Sequence, residues 1–273
     1  MRAKLKNWLK RLLALLLEPI PYGRDCYIKF IDSGTGMAYR GVFSSHAQAL
    51  AAVDAGRSKY DVLNQNKAEK VAAGTEGLDN WFHIDDYPFL FWLQQQVGEV
   101  DTLLELGGSL GHFFYSSQPF ADYPAKLSWI IAELPEAVAL GKRVAEQRGE
   151  QRLDFIDSAG LASAPAVDLF ITAGTIQYMP DELTTILASL KQLPRHVLVH
   201  RLPVLPVDSC WTLQDLGLCE VPYRLYGERV LFNALALLGY KIVATWEHQR
   251  PVNIPFYRSH SAEKYIGFYC CLD

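Results

Sequence analysis

The stretch "VDTLLELGGSLGHFF", residues 100–114, decides how the rest of the chain is read. It begins as an apolar run, reaches an acid at Glu105, spends three glycines and a serine in five residues, and resumes as apolar helical sequence. A strand that breaks into a tight glycine turn and reopens as a helix is the place where an open α/β sheet holds a ligand. Glycine is required there because a Cβ blocks close backbone approach and penalises left-handed conformations. Gly107, Gly108 and Gly111 can therefore pass under a ligand and present N–H groups at the start of a helix.

The sequence beyond the turn repeats its texture. Short, nearly continuous apolar runs occur at 126–133, 152–157, 167–173 and 195–201, as expected for parallel strands covered on both faces. Helical patterns fall between them at 110–117, 135–147 and 182–190, the second opening on Pro135. This alternation predicts a doubly wound sheet with right-handed crossovers. A further helix over 227–238 stops at Gly239 and is followed by two strands, "YKIVATW" and "KYIGFYCC", with no helix between them. Two consecutive strands imply a terminal antiparallel hairpin. The expected fold is thus α/β, a Rossmann-like sheet of parallel strands closed by that hairpin. Residues 1–98 read as mostly helical, and the chain divides into a helical cap or lid over 1–98 and a cofactor-binding domain over 99–273.

Two loop chemistries compete at the turn. The dinucleotide pattern G-x-G-x-x-G, aligned on Gly108 and Gly111, needs glycine where Leu106 stands. The pattern acid-x-G-x-G-x-G is filled at Glu105, Gly107 and Gly111, with Ser109 at the middle glycine. An acid before the turn suits a cationic amino acid group and repels a pyrophosphate. The second strand ends in Glu133, a carboxylate placed to accept hydrogen bonds from ribose hydroxyls. Asp157 closes the third strand, where it meets an adenine edge or caps a helix. After the fourth strand, Ala173 and Gly174 are small residues suited to lie against a cofactor, and Gln177 and Tyr178 face the cleft or pack in the core.

Composition bounds the alternatives. Half the residues are hydrophobic and the formal net charge is −4, which excludes a general nucleic-acid binder with a basic face. The five cysteines form no C-x-x-C pair, and their odd number suits a reducing, cytoplasmic compartment. No metal is expected: Asp85-Asp86 precedes an aromatic helix and reads as a pair of solvated turn acids. The N-terminal "MRAKLKNWLKRLLALLLEP" is too short in its apolar part to span a bilayer. At helical spacing Leu5, Trp8, Leu9, Leu12, Leu13 and Leu16 share a face with Arg2, Lys6 and Lys10 largely opposite, which suits either peripheral contact with an anionic membrane or packing on the protein's own body. Oligomeric state is not readable.

The runs "LLELGGSLGHFFY", "IIAELPEAVALGKRVAE", "DLFITAGTIQYMPD", "HVLVHRLPV" and "ERVLFNALALLGYKIVATW" together resemble a family of bacterial class I S-adenosylmethionine (SAM) methyltransferases associated with surface-polysaccharide biosynthesis. The resemblance covers roughly residues 75–273. It implies SAM as cofactor, a first loop of Glu105, Gly107, Gly108, Ser109 and Gly111, ribose binding by Glu133, and a reaction cleft lined by residues 172–178. It implies O-methylation of a glycan or polysaccharide precursor, with a catalytically silent SAM-binding protein of a polysaccharide assembly, or an NAD(P)-dependent oxidoreductase, as rival readings. Where the family commonly shows Asp-Arg after the fifth strand, this chain has His200-Arg201. His200 is therefore the first candidate for a general base, with His112 and Glu228 behind it. Arg201, Tyr178, Tyr223, Tyr226 and Trp81 are the candidate acceptor contacts.

Overall fold

The computed structural model describes residues 38–54, 82–206, 208–217 and 219–272, with Leu78 and single positions between 9 and 23. Two compact units are present. One comprises Met1–Leu63, Pro203–Val230 and Gln249–Tyr265; the other comprises Asn64–Leu202, Leu231–His248 and Ile266–Asp273. The boundary expected after residue 98 falls inside the second of these.

The second unit carries the parallel strands. The chain forms β1 (Ala38–Phe43) and α1 (His46–Ala51) in the first unit, then α2 (Tyr87–Val97), β2 (Thr102–Leu106), α3 (His112–Ser117), β3 (Ser128–Glu133), α4 (Pro135–Arg148), β4 (Leu153–Asp157), β5 (Leu169–Ala173) and α5 (Leu183–Ser189). Strand β6 (His196–Leu205) runs from the second unit into the first. The strand order is β6-β5-β2-β3-β4, every adjacent pair parallel. Leu104 pairs with Ile130 on one side and Phe170 on the other, which brings Leu106, Glu133, Asp157, Ala173 and His200 to the same end of the sheet. The order reverses at β2, so the glycine turn sits at the switch point. After α6 (Glu228–Leu237), β9 (Tyr240–His248) and β10 (Tyr265–Leu272) form the terminal antiparallel hairpin, with β10 pairing both β6 and β9.

The core of this unit gathers Trp129, Phe113, Phe114, Phe155, Phe89 and Leu103. Helix α4 packs on β4 through its small residues: a Cβ on Gly141 would stand 2.3 Å from the Phe155 ring. Helix α2 buries Phe89, Leu90, Leu93 and Val97, so it is a core helix of the second unit and not part of a separate cap. Among the described residues, no helix is long and apolar enough to cross a membrane.

The first unit departs from the helical reading of residues 1–98. It is built on an antiparallel sheet of β1, β7 (Cys210–Asp215) and β8 (Glu220–Gly227), with Arg40 opposite Leu213 and Leu213 opposite Pro222. Helix α1 covers it through Ala49, against Trp211 and Leu213. Arg40 closes a bidentate pair on the buried Glu220, its Nε 2.5 Å from Oε1 and its Nη2 2.6 Å from Oε2.

Candidate cofactor site

The turn after β2 alternates into the left-handed region three times, at Gly107 (φ +80°), Ser109 (+55°) and Gly111 (+89°). A Cβ on Gly107 would lie 2.0 Å from Thr175 Oγ1, and a Cβ on Gly108 would lie 2.6 Å from the Glu105 carboxyl carbon. A side chain at Gly107 would require Thr175 to move, and one at Gly108 would require the Glu105 carboxylate to shift. The neighbouring strand ends hold the turn in place. Glu133, closing β3, accepts the Ser109 N–H at 3.1 Å and the Leu134 N–H at 2.8 Å. From the β5 side, Thr172 donates to the Leu106 carbonyl (3.1 Å) and Thr175 to that of Gly107 (3.3 Å).

Glu105 points inward. It is 2 % exposed, and its carboxylate accepts the Trp129 indole N–H at 2.8 Å. Burial pushes its pKa up to about 7, with the Trp129 hydrogen bond opposing and the Glu133 charge adding to the rise. The acid therefore supports the turn from within, under Gly108, instead of offering an open carboxylate to a cationic group.

Asp157 takes the capping alternative, accepting the Ala159 N–H at 2.9 Å at the head of a short 3-10 turn. Beyond β5, Gly174 has φ +77° and Gln177 lies close by, its Nε2 3.8 Å from where a Gly174 Cβ would be. Gln177 is buried, and its Oε1 has no hydrogen-bond partner among the described residues. A buried amide oxygen left unpaired costs free energy unless a bound group supplies a donor. Tyr178 ends the 3-10 turn that follows and is partly buried.

His200 lies on β6 beside Ala173, among buried partners. It is fully buried and stacked on Phe89, ring centroids 5.2 Å apart. Its Nδ1 accepts from Trp246 Nε1 (3.1 Å), with His248 Nε2 at 3.2 Å, so the proton resides on Nε2 and is donated to Asp86 Oδ1 at 2.8 Å. Burial, outweighing the pull of Asp86, lowers its pKa to about 4. Both imidazole nitrogens are engaged by these partners. His112, directly after Gly111, is also shut into the interior.

Sequence reasoning missed Asp86. Read as a solvated turn acid, it is fully buried and accepts from His200, from Arg201 Nη2 (2.7 and 3.0 Å) and from the His83 N–H (2.7 Å). Burial raises its pKa, but the His200 hydrogen bond and the Arg201 charge bring it below the ordinary carboxylate value. The available signal was the reciprocal cap between His83 and Asp86 just ahead of the Pro88 helix start. Arg201 has φ +57° and its Cβ approaches the Gly174 position at 3.7 Å, so its guanidinium is fixed beside the end of β5.

The remaining candidates fall elsewhere. Tyr223 and Tyr226 are buried in the first unit, Tyr223 sharing a 2.6 Å hydroxyl contact with Tyr265 and Tyr226 accepting from Arg224 at 3.1 Å. They are packing residues of that unit, not exposed acceptor contacts. Glu228 opens α6 as the acid of its first turn. Trp81 lies outside the described residues. Among those residues, no cluster of metal-ligating side chains occurs.

No protein-family model matches the chain, and no curated protein matches it by sequence. Solved structures do resemble it. A 1,6-didemethyltoxoflavin-N1-methyltransferase from Burkholderia thailandensis, bound to S-adenosylhomocysteine, is 17 % identical at a TM-score of 0.49, covering 81 % of this chain and 94 % of its own. The N-terminal domain of EvdMO1, with S-adenosylhomocysteine and D-fucose, is 13 % identical at 0.49, covering 81 % and 100 %. A SAM-dependent methyltransferase from Clostridium acetobutylicum is 12 % identical at 0.45, covering 78 % and 98 %. The fold itself is given by this chain's own strand order and terminal hairpin.

Proposed function

We propose that the chain is a SAM-dependent methyltransferase that O-methylates a glycan or a polysaccharide precursor. The observation that supports this best is the turn after β2. It is a bare backbone with three left-handed positions, tied to the Glu133 carboxylate at the switch point of the sheet. Gln177 Oε1, buried at the next strand end without a donor, fits the same reading. The backbone of residues 107–111, Glu133 and residues 173–177 would hold the cofactor.

SAM supplies, when bound, a methyl group already activated on a sulfonium. The protein's part is then chiefly placement. Thr172, Thr175 and Glu133 fix the turn so that its N–H groups keep one orientation. Arg201, clamped by Asp86, keeps a cation beside Gly174, where it would bind a hydroxyl or anionic group of the acceptor. His200 keeps its own proton toward Asp86 and takes none from an acceptor.

That sealed histidine favours a second reading, a SAM-binding protein without turnover in a polysaccharide assembly. Incubation with methyl-labelled SAM and a panel of oligosaccharides and nucleotide sugars separates the two. Label in a glycan product supports the enzyme. Tight S-adenosylhomocysteine binding without transfer to any acceptor supports the silent protein. Binding of NAD(H) in place of either sulfur compound would contradict both.

A further inference from the structure

SAM, on the reading proposed above, brings one group that the site described so far leaves without an acceptor. Its amino acid end carries an ammonium, which needs an oxygen partner once it leaves water. Glu105, the acid that the turn pattern offers to such a group, is turned under Gly108 and onto the Trp129 indole. The other acids near these strand ends already have work. Glu133 accepts the Ser109 and Leu134 N–H groups, Asp157 caps its own turn, and Asp86 is buried against His200 and Arg201.

Gln177 stands where an acceptor is needed. Strand β2 has β3 on one side and β5 on the other, so a ligand with its ribose on Glu133 that crosses the glycine turn comes next to the residues after β5. Thr175 ties that segment to the turn, its hydroxyl donating to the Gly107 carbonyl at 3.3 Å. Further along the same segment, Gln177 is 3 % exposed, and its Oε1 has no hydrogen-bond partner among the described residues. Its amide nitrogen is 3.8 Å from the point where a Gly174 Cβ would stand, which places the amide beside a backbone that carries no side chain. A buried acceptor without a donor is destabilising by itself and is relieved by a ligand that brings an N–H.

An amide also suits the local charge. The Glu133 charge already raises the Glu105 pKa, and a third carboxylate would add to that repulsion, whereas an amide oxygen accepts without a charge. Arg201, the cation beside Gly174, has its charge held by Asp86 at 2.7 Å. Given the cofactor reading above, on which the assignment rests, we propose that Gln177 Oε1 holds the ammonium of the cofactor's amino acid end, the role that the sequence pattern offers to Glu105.

Calorimetric titration of the full chain with two ligands tests this: S-adenosylhomocysteine, and its deamino analogue, in which hydrogen replaces the amino group. The wild type is expected to favour S-adenosylhomocysteine by about tenfold or more, the usual worth of a hydrogen bond from a charged donor. Gln177→Met keeps the side-chain length without the acceptor, and should remove that preference by weakening S-adenosylhomocysteine alone. Should this variant fail to fold, Gln177→Asn, which withdraws the oxygen by a methylene, is expected to narrow the same ratio. Absence of S-adenosylhomocysteine binding to the wild type would remove the cofactor reading and this assignment together. Equal affinity of the wild type for both ligands would overturn the assignment and leave the cofactor reading standing. So would a preference that survives in the variants, or an equal weakening of both ligands, since the ammonium would then be held by another group.

Discussion

Ser109 stands at φ +55° where glycine would be at ease. The left-handed region costs an L-residue roughly 1–2 kcal/mol, and the entropy of glycine takes back up to about 1 kcal/mol. Ser109→Gly should therefore stabilise the protein by about 0.5–1 kcal/mol in urea unfolding. Glu105 gives a pH signature. Its folded pKa of about 7 lies above the ordinary 4.5, so the folded state holds its proton more tightly than the unfolded chain. The associated stability is present below pH 4.5 and is lost as pH rises through 7, by on the order of 3 kcal/mol. Glu105→Gln keeps an acceptor for Trp129 and should remove that loss; the gap between the two thermal midpoints should widen as pH rises from 4.5 to 7 and stay constant above it. His200→Ala removes a ring stacked on Phe89 and one partner of the buried Asp86, and should cost about 3 kcal/mol of stability. At this scale the sequence singled out positions 200 and 201, but not their shared contacts with Asp86. Which of two adjacent acids, Asp85 or Asp86, is drawn inward depends on strand-end neighbours more than a hundred residues away, and no local pattern encodes that.

Among the elements, α4 and the turn after β2 make the firmest demands. Helix α4 meets β4 at Gly141, where Gly141→Ala would push a methyl into the Phe155 ring. Overpacking of this kind costs about 1–3 kcal/mol, against the helix propensity that alanine would otherwise gain, and chemical denaturation should show a net loss. The five parallel strands and the terminal hairpin were legible because strands covered on both faces are continuous apolar runs, bounded by glycine, proline and acid. Strands β1, β7 and β8 were not. In β1 the register breaks between Arg40 and Phe43, around Gly41 at φ +70°, and a bulge there hides the alternation. In β7 all six residues are buried, Thr212, Gln214 and Asp215 among them, so polarity does not report facing. Strand β8 carries Pro222, an ordinary reason to reject a strand, tolerated here because β8 meets β6 only at Tyr226 and Gly227.

For the whole molecule, the strand order β6-β5-β2-β3-β4 with β10 beside β6 is what separates this chain from dinucleotide-binding sheets. The parallel strands and the terminal hairpin were legible in the texture of residues 100–271, whereas their order in the sheet is set by pairings between distant segments. The division into two units was not legible, because the first is assembled from three separate segments and its sheet pairs residues from 38–43 with residues from 210–215. The central claim is that the turn at 107–111 and the carboxylate of Glu133 clasp an adenosine sulfur compound. Calorimetric titration of S-adenosylhomocysteine into the full chain and into Glu133→Ala tests it most directly. The account predicts one site per chain with a Kd on the order of micromolar, weakened about tenfold or more in the variant. Absence of binding to the wild type, or equal affinity in the two proteins, would contradict it.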